Sequence, residues 1–224
     1  MAEKDESTDD SQKTEEPTAR RLEEARKSGK VVYSREISNW VLLFAATLIL
    51  IMNGPQIMSD LGMQMKKFIA MPHTMSIDGK GLRHILEDLV WVVSQNLALP
   101  FLGLIAAGVL SSLIQTGPIL SLDPVKPDLS KISIFAGFSR LFSGRSIVEF
   151  IKGILKLLVV SIAVFIVIGP YFSAIDHFIG ADIFQSMFDL KEMFLRMMIA
   201  VLSILFIIAI LDYLYQRHTF MNQM

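Results

Sequence analysis

The chain has 224 residues, of which 52% are hydrophobic and 19% charged, with a formal net charge of -1 at pH 7. So few charges do not clothe a soluble surface, and the lack of a global basic field excludes a nucleic-acid-binding protein. With no cysteine, disulfide frameworks, thiolate metal sites and thiol nucleophiles are excluded as well.

Charge is segregated toward the N-terminus, where residues 1–36 hold 18 of the 43 charged side chains. Residues 1–12 are acidic and polar, the composition of a disordered tail. From Thr14 the character changes. Thr14 is placed to cap a short helix whose first turn holds Glu15, Glu16 and Pro17, and Gly29 is placed to end it. Glu16 with Arg20, and Glu23 with Lys27, are helix-stabilising pairs. Leu22 and Ala25 give this helix little apolar surface, so it is either marginal in water or held by a partner.

The uncharged intervals decide the fold class. A helix crossing about 30 Å of hydrocarbon needs about 20 mostly apolar residues. The first such interval runs between Glu36 and Asp60 and is 23 residues long. Trp40 opens it at an interface-like position, and Asn53-Gly54-Pro55 is expected to break its helix. A loop is expected from Asp60 to Asp88. Leu82, Ile85, Leu86 and Leu89, at helical spacing, lead into the second interval of 34 residues between Asp88 and Asp123. There Gly103, Ala107 and Ser111, with Gly108 and Ser112 beside them, form a small-residue face suited to close packing on another helix. Gln95 and Asn96 read as hydrogen-bonded core polar groups in preference to a transport site, and Pro100 is expected to interrupt or kink the run.

Between the second and third spans, Pro124 and Pro127 prohibit a continuous helix. Ile134, Phe135, Phe138, Leu141 and Phe142 then recur at three- and four-residue steps among Lys131, Arg140 and Arg145. This is a basic amphipathic element, fit for lipid headgroups or for apolar protein. Ser146-Ile147-Val148-Glu149 has the form of a capping box opening the third helix. Glu149, Lys152 and Lys156 line one face of its first turns, a stripe most simply read as keeping that end in water. The third interval, between Lys156 and Asp176, has 19 uncharged residues. The fourth is short by itself, but Met193 to Tyr215 gives 23 residues with charges only near the ends. Arg196 is placed to snorkel there, and Asp212 and Gln216 stand near its inner end. An intramembrane carboxylate is by default a functional suspect, a suspicion weakened here by its place at a helix end.

The expected fold is therefore an all-α membrane protein with four transmembrane or membrane-embedded helices and an amphipathic cytoplasmic loop between helices two and three. A soluble helical globule needs polar faces, and Val41 to Met52, Ile154 to Ile168 and Met197 to Leu211 have almost none. A secretory signal peptide does not fit either, because Asn53-Gly54-Pro55 stands where a small-residue cleavage site belongs. Lys and Arg number eight before the first span, four in the 60–88 loop, six between Leu122 and Lys156, and two between Asp176 and Arg196. By the positive-inside rule, the N-terminus, the central loop and the C-terminus face the cytoplasm. The expected organisation is a cytoplasmic tail and charged helix over 1–36, a membrane domain over 37–216 with its cytoplasmic loop at 116–153, and the start of a cytoplasmic region at 217–224. A soluble segment is expected to follow.

The search for chemistry is negative. His73, His84, His177 and His218 lie far apart without ligand spacing, and no phosphate loop or nucleophile elbow is present. No cofactor, metal or catalytic residue is assigned, and the protein is expected not to be an enzyme. Gln95, Asn96, Pro100 and Asp212 leave a small-solute transporter or channel as the alternative.

Lys13-Thr14-Glu15-Glu16-Pro17-Thr18-Ala19-Arg20-Arg21-Leu22-Glu23-Glu24-Ala25-Arg26-Lys27-Ser28-Gly29-Lys30-Val31, followed by Ser34-Arg35-Glu36, resembles the N-terminal signature of the FlhB family of flagellar biosynthetic proteins. That family includes the export-apparatus switch proteins of type III secretion systems. Within the signature, Thr14, Glu15, Pro17, Thr18, Arg21, Leu22, Ala25, Arg26 and Gly29 carry the match. Pro127-Asp128-Leu129-Ser130-Lys131 and Gly137-Phe138-Ser139-Arg140-Leu141-Phe142-Ser143 match in the central loop, and Asp212-Tyr213-Leu214-Tyr215-Gln216 matches at the end of span four.

The resemblance implies a subunit of the flagellar protein-export gate in the bacterial inner membrane. Its helices would wrap the pore formed by companion membrane subunits, beside the large export-gate protein, and help rod, hook and filament subunits to pass. Phe138, Arg140, Leu141 and Phe142 would then contact pore subunits in place of lipid, at the pore's cytoplasmic entrance. Two departures stand out. Ser133-Ile134 occupies the loop position where the family commonly has Asn-Pro. The self-cleaving Asn-Pro-Thr-His of the family's cytosolic domain has no counterpart here, so the expected chain is the membrane half of a longer protein or a truncated relative without the switch.

Overall fold

A computed structural model of the chain describes residues 19–29, 31–74, 78–118, 144–172 and 182–222. Among these residues there is no strand. The elements are α1 (Ala19–Lys27), α2 (Arg35–Ala70), a single 3-10 turn (Pro72–Thr74), α3 (Gly79–Thr116), α4 (Gly144–Phe172) and α5 (Ile183–Asn222). Four of them, α2 to α5, are long and apolar enough to cross a membrane. The fold class is thus the one that the uncharged intervals require: an all-helical membrane protein with four candidate spans.

The helices overrun the intervals that announce them. At 1.5 Å per residue, α2 is about 54 Å long and α5 about 60 Å, each well beyond the hydrocarbon thickness of about 30 Å. Asn53-Gly54-Pro55 does not end α2, which carries Pro55 inside it and continues to Ala70. Pro55 removes one backbone donor, but good helix formers follow past Gly62, in Met63-Gln64-Met65-Lys66-Lys67, and the ladder is re-established. The expected loop at 60–88 shrinks to the segment between Ala70 and Gly79. Pro100 likewise sits inside an unbroken α3, and Pro170 inside α4. Proline is tolerated in membrane helices, where neighbouring groups re-satisfy the freed carbonyl.

Helix ends follow local chemistry. Asp78 precedes α3 and its Oδ1 accepts the Gly81 N–H at 3.2 Å, an N-cap. Gly29 has φ 78° just past α1, with its N–H donated to the Arg26 carbonyl at 3.1 Å, as the sequence expects of a left-handed C-terminal cap. α4 starts at Gly144, two residues before the Ser146 that the sequence marks as its opening.

The chain divides into two compact units, residues 38–113 in one and residues 1–37 with 114–224 in the other. In the first unit, the small-residue face of α3 meets α2. A Cβ at Gly103 would lie 2.9 Å from Ile49 Cδ1, one at Gly108 would lie 3.7 Å from Leu42 Cδ2, and Ser111 Oγ donates to Ser38 Oγ at 3.1 Å. Small residues bring the helices close, as their spacing in the sequence requires. In the second unit α4 and α5 pack on each other.

Burial is scarce elsewhere. No residue in the most apolar stretch of α4 is buried, and Phe150, Leu157, Phe165 and Ile166 are exposed there. An apolar helix covered only in part by its own chain needs lipid or other protein against the remainder. Polar groups within the apolar runs are satisfied locally. Thr47 Oγ1 donates to the Leu43 carbonyl at 2.8 Å, Ser203 Oγ to Ile199 at 2.7 Å, and Asn96 Nδ2 to Val92 at 2.9 Å. Asn96 is half-buried and satisfied by its own helix, whereas Gln95 is exposed and is not a core group.

Candidate functional site

The second unit gathers its polar side chains at one junction, where the start of α2, the last turn of α3, the first turns of α4 and the last turns of α5 meet. Ser34 is its centre and is completely buried. It stands immediately before α2, and its hydroxyl accepts the Ile37 N–H at 3.4 Å as an N-cap. The same hydroxyl donates to Asp212 Oδ2 at 2.6 Å, a short contact of the kind made to a charged acceptor. Ser34's backbone N–H donates to Gln115 Oε1 on α3 at 2.9 Å. Gln216, one turn after Asp212 on α5, donates its Nε2 to the same Oδ2 at 3.2 Å.

Around this centre lie two cation contacts. Lys156 Nζ on α4 is 2.8 and 2.9 Å from the two carboxylate oxygens of Glu36, with both side chains under a third exposed. Lys152, one turn earlier, holds its ammonium 4.1 Å from the centre of the Tyr215 ring on α5, within cation–π range. Within the stripe on α4, Glu149 and Lys152 are exposed, as a solvated face requires, and Lys156 alone is drawn into a half-buried pair with α2. The sequence reading underestimates Lys156 because its partner lies far along the chain.

Arg26 on α1 donates Nη2 to the Thr116 carbonyl at 3.4 Å, placing a cation at the C-terminal end of α3. Gly117 follows with φ 69°, and a Cβ there would collide with that guanidinium. Among the described residues no buried side-chain nitrogen or oxygen lacks a partner. The junction is thus a closed hydrogen-bonded network, and its chemistry is that of a fastening.

The residues singled out from sequence divide sharply. Asp212 and Gln216 are brought together at the junction. Arg21, Leu22, Ala25 and Arg26 lie on α1, with Leu22 and Ala25 half-buried, Arg21 and Arg26 exposed, and Gly29 at its end. Glu23 pairs with Lys27 at 3.0 Å as expected, and Arg20 pairs with Glu24 at 3.2 Å. Thr14, Glu15, Pro17 and Thr18 lie outside the described residues. So do Pro127, Lys131, Gly137, Phe138, Arg140, Leu141 and Phe142. Sequence reasoning missed Gln115 and gave Ser34, Glu36 and Lys156 no pairing. A Ser directly before Arg-Glu and an apolar helical run is an N-cap signal that marks Ser34. Nothing local marks Gln115.

Four candidate membrane spans fastened by a buried polar junction define a polytopic helical membrane protein. The chain belongs to the FlhB/HrpN/YscU/SpaS family, whose model matches residues 11–224. It is 32% identical over 206 residues to the flagellar biosynthetic protein FlhB of Bacillus subtilis, covering 92% of this chain and 57% of the relative. It is 28% identical over 218 residues to the Yop proteins translocation protein U of Yersinia pestis, covering 95% of this chain and 60% of that protein. A third relative is the hypersensitivity response secretion protein HrcU of Ralstonia nicotianae, 27% identical over 199 residues, 86% of this chain and 52% of that protein. The chain thus spans less than two thirds of the length of these relatives.

Proposed function

We propose that this protein is a non-enzymatic subunit of a bacterial type III protein-export apparatus, the flagellar export gate, in the inner membrane. The observation that carries the reading is the family match from residue 11 to residue 224 on a chain with four candidate membrane spans. The names of its relatives join flagellar biosynthesis to protein translocation and secretion. The exposed apolar faces of α4 support a chain seated against other membrane subunits of the gate, the pore complex and the large export-gate protein, as well as lipid.

In this reading both termini and the segment between α3 and α4 face the cytoplasm, by the Lys and Arg counts. The four-helix domain covers 37–216, and the N-terminal signature over 14–29 is its cytoplasmic arm. Pro127, Lys131, Gly137, Phe138, Arg140, Leu141 and Phe142 contact the pore subunits at their cytoplasmic entrance and help regulate it. Rod, hook and filament subunits are the cargo. Deleting residues 131–143 from the full protein in its host tests this. Export of flagellar subunits should stop while the protein still inserts in the membrane, and undiminished motility would contradict the proposal.

A further inference from the structure

We infer that the N-terminal arm, residues 19–34, is a strap that the end of α5 holds in place through Ser34, so that the last turns of α5 and the start of α2 are mechanically coupled. Two hydrogen bonds from the arm land on adjacent residues of α3. Arg26 reaches the Thr116 carbonyl at 3.4 Å, and the Ser34 N–H reaches Gln115 Oε1 at 2.9 Å. From the second bond the network passes on to α5, because the Ser34 hydroxyl donates to Asp212 while it caps Ile37.

One hydroxyl thus performs two tasks that depend on each other. It accepts from the first turn of α2 and donates to α5, and a serine hydroxyl has one proton to give. Displacing Asp212 takes away the acceptor that orients the proton and leaves a completely buried donor without its partner. That group costs free energy until the arm moves and lets water in. α1 itself contributes little resistance. On α1 only Leu22 and Ala25 are half-buried among exposed charged neighbours, and the pairs Arg20–Glu24 and Lys27–Glu23 are well exposed. Among the hydrogen bonds described for the arm, the Ser34–Asp212 bond is the strongest because its acceptor is charged. Asp212 is a positioning residue in this account, and the inference does not depend on the export role.

Trypsin supplies the test, since α1 offers Arg20, Arg21, Arg26 and Lys27, while Lys66 and Lys67 near the end of α2 report on general unfolding. In the full chain purified in detergent, S34A and D212A should each speed cleavage in α1 by about tenfold, with Lys66 and Lys67 unchanged. The double variant S34A/D212A should be accelerated by less than the product of the two single effects, because both remove the Ser34–Asp212 bond. The chain has no cysteine of its own, so S34C/D212C introduces one clean pair. Its oxidised form should cross-link and return α1 cleavage to the wild-type rate, and reduction should restore fast cleavage. Unchanged cleavage in the single variants, the full product of their effects in the double, absence of the cross-link, or equal acceleration at Lys66 and Lys67 would each overturn the coupling.

Discussion

Glu36 and Lys156 stand 120 residues apart in the chain, and both oxygens of the Glu36 carboxylate lie within 2.9 Å of the Lys156 ammonium. The contact joins the second residue of α2 to α4, and it is screened from water to a degree unlike the other ion pairs described. Removing one partner leaves the other charge partly buried and alone, so E36Q and K156M should each destabilise by about 1–3 kcal/mol. The exchanged pair E36K/K156E should recover part of that loss. Denaturant unfolding in detergent measures all four proteins, and single variants as stable as the wild type would show that the pair contributes nothing.

Gly103 marks the closest approach of α3 to α2, with the space for its missing Cβ 2.9 Å from Ile49 Cδ1. G103A should cost about 1 kcal/mol because the flexible tip of Ile49 is able to turn aside, whereas G103L should cost about 2–3 kcal/mol by driving the helices apart. Gly62 has nothing within 4 Å of a Cβ. G62A should therefore be neutral or stabilising by up to about 1 kcal/mol, from helix propensity alone. Melting temperatures in detergent separate these cases.

At Gly117 two effects coincide. Its φ of 69° disfavours any Cβ, by about 1–2 kcal/mol, and the Cβ would also strike the Arg26 guanidinium. G117A should therefore cost more in the wild type than in an R26A background, where only the backbone strain remains. Equal costs in the two backgrounds, measured by thermal unfolding, would show that Arg26 does not rest on the end of α3.

Lys152 lies over the ring of Tyr215, not at its hydroxyl. Y215F keeps the aromatic face and should leave stability unchanged within about 0.5 kcal/mol. Y215A should lose about 1 kcal/mol, and this loss should shrink in K152A. A loss in Y215F equal to that in Y215A would assign the contact to the hydroxyl.

Much of this protein is legible in its sequence, for reasons that differ element by element. The four spans are readable because apolar length is a one-dimensional property, and the Gly103, Ala107, Ser111 face because helical spacing converts directly into a shared side. Pro55 misleads, since its local preference to end a helix is outweighed by the helix formers that follow it. Asp212 is suspicious from its position alone, but its partner Ser34 lies 178 residues away, and no pattern in either neighbourhood announces the pairing. Lys156 looks solvated for the same reason: Glu36 reaches it only after folding.

The central claim is that this is a membrane subunit of a protein-export apparatus, and isolation of the tagged, full-length protein from its own membranes in mild detergent tests that most directly. Mass spectrometry of the purified material should find the other membrane subunits of the export gate in constant ratio, retained after a stringent wash. A stable single protein without these subunits, able by itself to move a small solute across a reconstituted bilayer, would contradict the account.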